Sequence, residues 1–130
     1  MGPINSACLR SFVERGHTTV LHVYEPPVDA PEGIKLVDAS QILPGDRIYR
    51  YGGTGSPAIH SDLMRYEILR KGLGLYVDTD VYCLKPIMEA DYVYGWESNY
   101  LINNAVLKLP VDSKTLDNLA SIRTRTAFIP

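Results

Sequence analysis

Only two cysteines occur in 130 residues. Cys8 and Cys83 form no Cys-x-x-Cys and have no metal-ligand spacing, so buried free thiols in a reducing compartment are expected. No apolar run approaches the ~18 residues a membrane helix needs. No charged stretch leads into an apolar signal core at the start, so no secretory signal is read and the expected location is cytoplasmic. Neither sign of charge dominates: the formal net charge is −2. Lysine and arginine are scattered, which argues against nucleic acid or an anionic membrane as main partner. Ser56, Ser61 and Ser98 stand in no Gly-x-Ser-x-Gly context, which leaves a serine nucleophile unsupported. The three histidines, His17, His22 and His60, share no ligand spacing, so capping or surface roles are favoured over metal binding. No repeat or low-complexity tract is present.

What is present suits one folded domain spanning residues 1–130. A hydrophobic fraction of 45% and a charged fraction of 22% are ordinary for a globular chain. Asn5–Arg15 reads as a helix with Ala7, Cys8, Phe12 and Leu9 inward and Gly16 as its cap. Thr19–Tyr24 is β-rich, the prolines of Glu25–Gly33 enforce a loop, and Ile34–Val37 predicts a short strand. The glycines of Tyr49–Pro57 match neither a P-loop nor a dinucleotide fingerprint, so a mobile loop or lid is expected there. Ile59, Leu63, Tyr66 and Leu69, widened by Met64 and Ile68, give Ile59–Lys71 the stripe of a helix packed on a sheet. Strands follow at Leu75–Val77, Tyr92–Trp96 and Ile102–Leu107, with Val81–Leu84 extended. Ser113–Ile122 predicts a last helix with Ser113 as its N-cap. Helices alternating with strands imply an α/β domain with a largely parallel sheet.

The chemistry concentrates in Ser61–Asp80. Asp78 and Asp80 follow an apolar strand at i and i+2, so an extended chain projects both to one side. Adjacent carboxylates repel unless a proton or cation neutralises them, and strand ends are where open α/β sheets bind ligands. The pair by itself is close to chance in a chain with nine Asp, and on spacing alone a solvated acidic turn is the favoured reading. Asp62 and Arg65, at i and i+3, form an intrahelical ion pair or a pair aimed at hydroxyl and phosphate oxygens.

Together, Ser61-Asp62-x-x-Arg65-Tyr66 and Gly74-x-Tyr76-x-Asp78-x-Asp80 resemble the DXD-containing sugar-binding region of family 32 glycosyltransferases, a pattern shared by the glucosylating domains of large clostridial toxins. The N-terminal helix and strand and the run Ile102-Asn103-Asn104-Ala105-Val106 resemble the same family. The resemblance implies a GT-A-like, Rossmann-like α/β sandwich. It also implies transfer from a nucleotide-sugar donor, such as a UDP-sugar, with retention of anomeric configuration, as in polysaccharide biosynthesis. Mn²⁺, or Mg²⁺, is the implied cofactor. Asp80 would be its principal ligand. Asp78 would hydrogen-bond ribose or sugar hydroxyls and reach the metal through water, and these two are the implied catalytic pair. Asp62, Arg65, Tyr76, Asn103 and Asn104 would contact the donor. The acceptor is a glycan, lipid or protein that the residues do not identify. The family pattern has Gly-Gly before its aromatic strand, where this chain has Leu73-Gly74 and a displaced Gly72. Measured against the family the chain reads as cut at both ends, which predicts an unpaired sheet edge open to another copy. Two other readings remain. One is a non-catalytic sugar-nucleotide-binding or interaction fragment. The other is a phosphoryl-transfer hydrolase resembling haloacid-dehalogenase-like phosphatases, with Asp78 as nucleophile, which Tyr82 departs from.

Overall fold

A proline opens the first helix, α1 (Pro3–Glu14), in the computed structural model, which describes residues 1–121. Its fixed φ suits the first helical position, and the amide it lacks would have had no helical partner. At the other end Arg15 caps the helix and Gly16 adopts φ 83°. Gly16 N–H donates to Val13 O at 2.9 Å and His17 N–H to Phe12 O at 3.0 Å. This is a Schellman closure, which needs a residue tolerant of the left-handed region. Cys8, Leu9, Ser11 and Phe12 are buried, whereas Ala7, expected inward, is exposed.

Strand β1 (Thr19–Val23) pairs in parallel with β2 (Ile34–Asp38), from Thr19 opposite Ile34 to Val23 opposite Asp38. Gly33, which leads into β2, has φ 85°, and a Cβ there would lie 2.8 Å from Val13 Cγ1. Gly33→Ala is therefore disfavoured by backbone conformation and by contact. It is expected to cost about 1–3 kcal/mol in urea unfolding.

Helix α2 (Ala58–Arg70) buries Ile59, Leu63, Tyr66, Ile68 and Leu69, as its stripe predicts, together with His60 and Arg65. It closes as α1 does, with Gly72 at φ 65° and Leu73 N–H donating to Ile68 O at 3.2 Å. The chain then forms β3 (Tyr76–Val77), β4 (Val93–Trp96) and β5 (Ile102–Lys108), joined in the order β3-β5-β4 with both pairings antiparallel. Helix α3 (Lys114–Ser121) covers this sheet: Leu116 and Ala120 pack with Tyr66, Leu69 and Leu107 in the core. Ser113 Oγ lies 3.5 Å from Leu116 N at its start, and Ile122, expected in this helix, lies outside the described residues.

The expected largely parallel sheet is therefore not what forms. The described residues make a mixed α/β arrangement of two small sheets, and only β1–β2 is parallel. The reason lies after Asp80, where no helix intervenes until α3. Without a crossover helix, β5 runs back between β3 and β4 and pairs antiparallel with both. Val81–Leu84 is not a strand either. Three bonds from this segment and the residues that follow reach α1 and the turn after it. Cys83 N–H donates to Ser11 Oγ at 2.8 Å, Arg15 Nε to Leu84 O at 3.2 Å, and Ile87 N–H to His17 Nε2 at 3.1 Å. Cys8 and Cys83 are buried free thiols, as expected. No helix among the described residues is long and apolar enough to cross a membrane.

His60 is buried rather than at the surface. Tyr24 Oη donates to Leu43 O at 2.8 Å, so it accepts from His60 Nε2 at 2.7 Å. Nδ1 then accepts from Tyr49 N–H at 3.3 Å. Protonating Nδ1 would set two donors against each other, and burial already lowers the pKa of this histidine, as it does for His22. A lowered folded-state pKa means that the unfolded chain binds more protons just below the ordinary value. Stability should be complete above about pH 6.5 and decline as pH falls through the folded-state values. Urea unfolding at pH 7.5 and 5.5 measures this decline, which His60→Gln should make shallower.

Candidate functional site

Two helix closures and one short strand deliver the site residues. The left-handed Gly72 ends α2, and Gly74 at φ 116° redirects the chain into β3. Asp78 N–H donates to Ala105 O at 2.7 Å, which ties the first residue beyond β3 to β5. Val81 N–H then donates to Asp78 O at 3.1 Å, closing a turn with Thr79 and Asp80 at its centre. The strand pleat expected to place Asp78 and Asp80 on one side therefore ends before them, and the turn sets their relation instead. Asp78 is half-buried. Asp80 is exposed, with no side-chain hydrogen bond or ion pair among the described residues. Asn5 Nδ2 donates to Thr79 Oγ1 at 3.0 Å and so fastens this turn to α1. Nothing in the sequence marks Asn5 for that role, because the two residues are 74 apart.

Arg65 joins the pieces. Its guanidinium is buried, with Nη2 donating to Asp78 Oδ1 at 2.8 Å and Nη1 3.2 Å from Asp62 Oδ1. The same Asp78 oxygen accepts from Tyr76 Oη at 2.8 Å, and the guanidinium lies over the Tyr76 ring, 4.7 Å from its centroid. The Asp62–Arg65 pair is thus both intrahelical and a bridge to the Asp-x-Asp turn. Nε and Nη1 of Arg65 find no acceptor with hydrogen-bond geometry among the described residues, and Nη1 meets Asp62 as a charge contact only. Asn104 Nδ2 donates to Tyr66 Oη at 3.4 Å and pulls the Asp62 pKa down, so it joins the cluster. Asn103 does not: its Oδ1 accepts from Ala105 N–H at 2.7 Å, within its own strand.

The charges are matched inside a partly desolvated space. Burial raises the Asp62 pKa; Arg65 opposes that and Asp78 adds to it. Burial works against the Arg65 charge, but Tyr76, Asp78 and Asp62 outweigh it and hold its pKa above the ordinary value. Tyr76 is pushed up to about 12, first by burial and further by its bond to Asp78, against the opposing pull of Arg65. A phenol that stays protonated remains a donor at every physiological pH. Tyr76→Phe removes one bond to a charged acceptor but keeps the ring under Arg65. It should cost about 1.5–3 kcal/mol in urea unfolding.

Fold and site define an α/β domain that offers a braced carboxylate and a free one on a turn just past a strand end. Residues 46–105 match the family model described as the glycosyltransferase sugar-binding region containing DXD motif. That segment runs from the loop before α2 to the middle of β5. The resemblance read from the sequence holds for it, without the narrower family 32 label. No curated protein and no solved structure matches the chain.

Chemically, the site fits a hard divalent cation that keeps several waters and takes only one or two protein carboxylates. Asp80 has both oxygens unengaged among the described residues, and Asp78 has Oδ2 without a hydrogen bond. Among the described residues no group of three or more His, Cys, Asp and Glu is gathered for a metal. The remaining ligands would therefore come from water and from a bound phosphate.

Proposed function

We propose that this domain binds a nucleotide-sugar at the Asp78–Asp80 turn and serves the donor side of a retaining glycosyltransferase, with Mn²⁺ or Mg²⁺ as cofactor and a UDP-sugar as donor. The observation that carries this reading is the division of labour in the pair. Arg65 and Tyr76 fix Asp78, while Asp80 stands exposed two residues on, with its carboxylate unengaged. Asp80 and the free oxygen of Asp78 would hold the cation. When bound, the cation offsets the charge that develops on the leaving diphosphate. Asp62 and Asn104 would accept from and donate to sugar hydroxyls, with Arg65 keeping Asp62 ionised beside them. We read the two sheets as parts of a GT-A-like sandwich that works in the cytoplasm on a glycan, lipid or protein acceptor. Calorimetric titration with UDP-sugars tests the reading: binding should require Mn²⁺ or Mg²⁺ and disappear in EDTA. Equal binding in EDTA would overturn it.

A second reading, donor binding without transfer, is favoured by the lack of a third ligating group beside Asp78 and Asp80 among the described residues. Turnover separates the two. Release of free sugar from a donor that binds supports the enzyme, and binding with no hydrolysis or transfer supports the binding protein.

A further inference from the structure

Aromatic side chains collect, uncovered, on strand β4 and the turn after it. Tyr94 and Trp96 stand two apart on the strand, and both are exposed. Tyr92 just before it and Tyr100 in the turn are exposed too. Trp96 is 65% exposed, so it fills no core. Its ring meets that of Tyr94 edge to face, with centroids 6.0 Å apart. Trp96, Glu97, Ser98 and Asn99 line a surface cavity of about 490 Å³. We propose that this end of the β4–β5 hairpin is a glycan-acceptor subsite, with a pyranose stacked on Trp96 and its hydroxyls bonded to Glu97, Ser98 and Asn99. The inference names the acceptor class, and it rests on the donor site proposed above.

Three observations point to a carbohydrate at this place. The first is position. β3 and β4 both run antiparallel to β5, which lies between them. Asp78, just past β3, and Trp96, at the end of β4, therefore lie at the same end of the sheet. Two strand spacings, about 10 Å, separate β3 from β4. An acceptor held at Trp96 would thus sit beside a donor held at the carboxylate turn. The second is a bulge. Pairing along β4 jumps from Tyr94–Leu107 to Gly95–Asn103, which leaves residues 104–106 of β5 without a partner on β4. Bulges re-aim side chains beside sites, and Asn104 of the Asp62 cluster lies within this one. The third is chemistry. A pyranose presents an apolar C–H face, which suits the negative face of an aromatic ring, and a rim of hydroxyls. Glu97 can accept from those hydroxyls, and Asn99 can both accept and donate. Ser98 Oγ is buried with no hydrogen-bond partner among the described residues, although Ser98 lines the cavity. Rotation about its χ1 would bring this hydroxyl to a ligand and satisfy it. Among the described residues no Lys or Arg lines the cavity, so a phosphate or an anionic lipid headgroup finds no counter-charge there.

Trp96 is the only tryptophan in the chain, so its emission reports on this subsite alone. The probes are cellotetraose, maltotetraose and chitotetraose, titrated in EDTA with no donor present. Sorbitol is the control, since it has hydroxyls but no ring to stack. At least one tetrasaccharide should shift the emission saturably, with a Kd of about 1 mM or tighter, and sorbitol should not. Calorimetry with that sugar should show Trp96→Ala weakening binding about tenfold or more, and Trp96→Tyr recovering part of the loss. Ser98→Ala should weaken it about fivefold without loss of stability, because its hydroxyl has no internal partner to lose. No shift with any of the three sugars, an equal shift with sorbitol, or full-strength binding by Trp96→Ala would overturn the proposal. Loss of metal-dependent UDP-sugar binding in Trp96→Ala would overturn it too, by placing the residue on the donor side. So would a concentration-dependent dimer that by itself shifts the emission, since the patch would then be an interface between copies. The glycan titration needs neither metal nor donor, so metal-independent donor binding would sink the donor reading without touching this result.

Discussion

Asp80→Asn is expected to weaken metal-dependent nucleotide-sugar binding by about two orders of magnitude, a typical loss when one preorganised electrostatic partner is removed. The carboxylate is exposed and makes no bond among the described residues. Its replacement by an isosteric amide should therefore leave folding stability within about 0.5 kcal/mol. A functional loss without a structural one is what separates a ligand-holding residue from a bracing one. Calorimetric titration with Mn²⁺ and a UDP-sugar, run beside urea unfolding of the same variant, gives both quantities. Donor binding that survives the substitution at full strength would remove Asp80 from the site. Asp78→Asn is the useful contrast. Arg65 and Tyr76 both bond Oδ1 of Asp78, so that variant should lose stability as well as binding.

Arg65→Met is expected to have the largest effect on folding. The arginine is buried, and it is the cation shared by Asp62 and Asp78, whose side chains are 32% and 30% exposed. Removing it leaves two carboxylates in a partly desolvated space with mutual repulsion and no counter-charge. Breaking a buried ion pair from one side costs about 3–5 kcal/mol. Residual solvent screening of the two carboxylates places this case near the lower end, about 3 kcal/mol. Arg65→Lys should recover only part of the loss, because a single ammonium cannot reproduce a planar fork that meets Asp78 and Asp62 with different nitrogens. The variant also has a diagnostic pH dependence. Without Arg65, burial and the neighbouring Asp78 charge raise the Asp62 pKa unopposed in the folded state. The folded chain then binds protons that the unfolded chain does not, so stability should rise as pH falls toward about 4, the ordinary carboxylate range. Urea unfolding of Arg65→Met at pH 7 and pH 5 measures that reversal. A variant with wild-type stability at both values would show that Arg65 does not neutralise the pair.

Much of the site is legible in the order of the residues. Arg65 and Tyr66 follow Asp62 at helical spacing, and the composite Ser61–Asp80 pattern points to a glycosyltransferase sugar-binding region, which the match over residues 46–105 bears out. The helix ends are legible for a local reason: Gly16 and Gly72 sit at left-handed closures that few other residues tolerate. The sheet is not legible in this way. Helix–strand alternation implies parallel pairing, and the alternation stops at Asp80. The spacing of His60 suggests a capping or surface role, whereas the residue is buried. Its partners, Tyr24 Oη and Tyr49 N–H, come from outside its own helix, and no local pattern announces them.

The sequence by itself determined the local conformation and the identities: which segments are helical, where glycine and proline end them, and that carboxylates cluster after Val77. Local sterics and side-chain period act over a few residues, so they can be read without knowing the fold. Only the tertiary structure decided which carboxylate is braced and which is free. It did so through a guanidinium 13 residues from Asp78 in sequence and a turn held to α1 by Asn5. It also decided that β1 and β3 belong to separate sheets. Long-range charge pairing and strand order depend on how distant segments pack, and no local pattern carries that information.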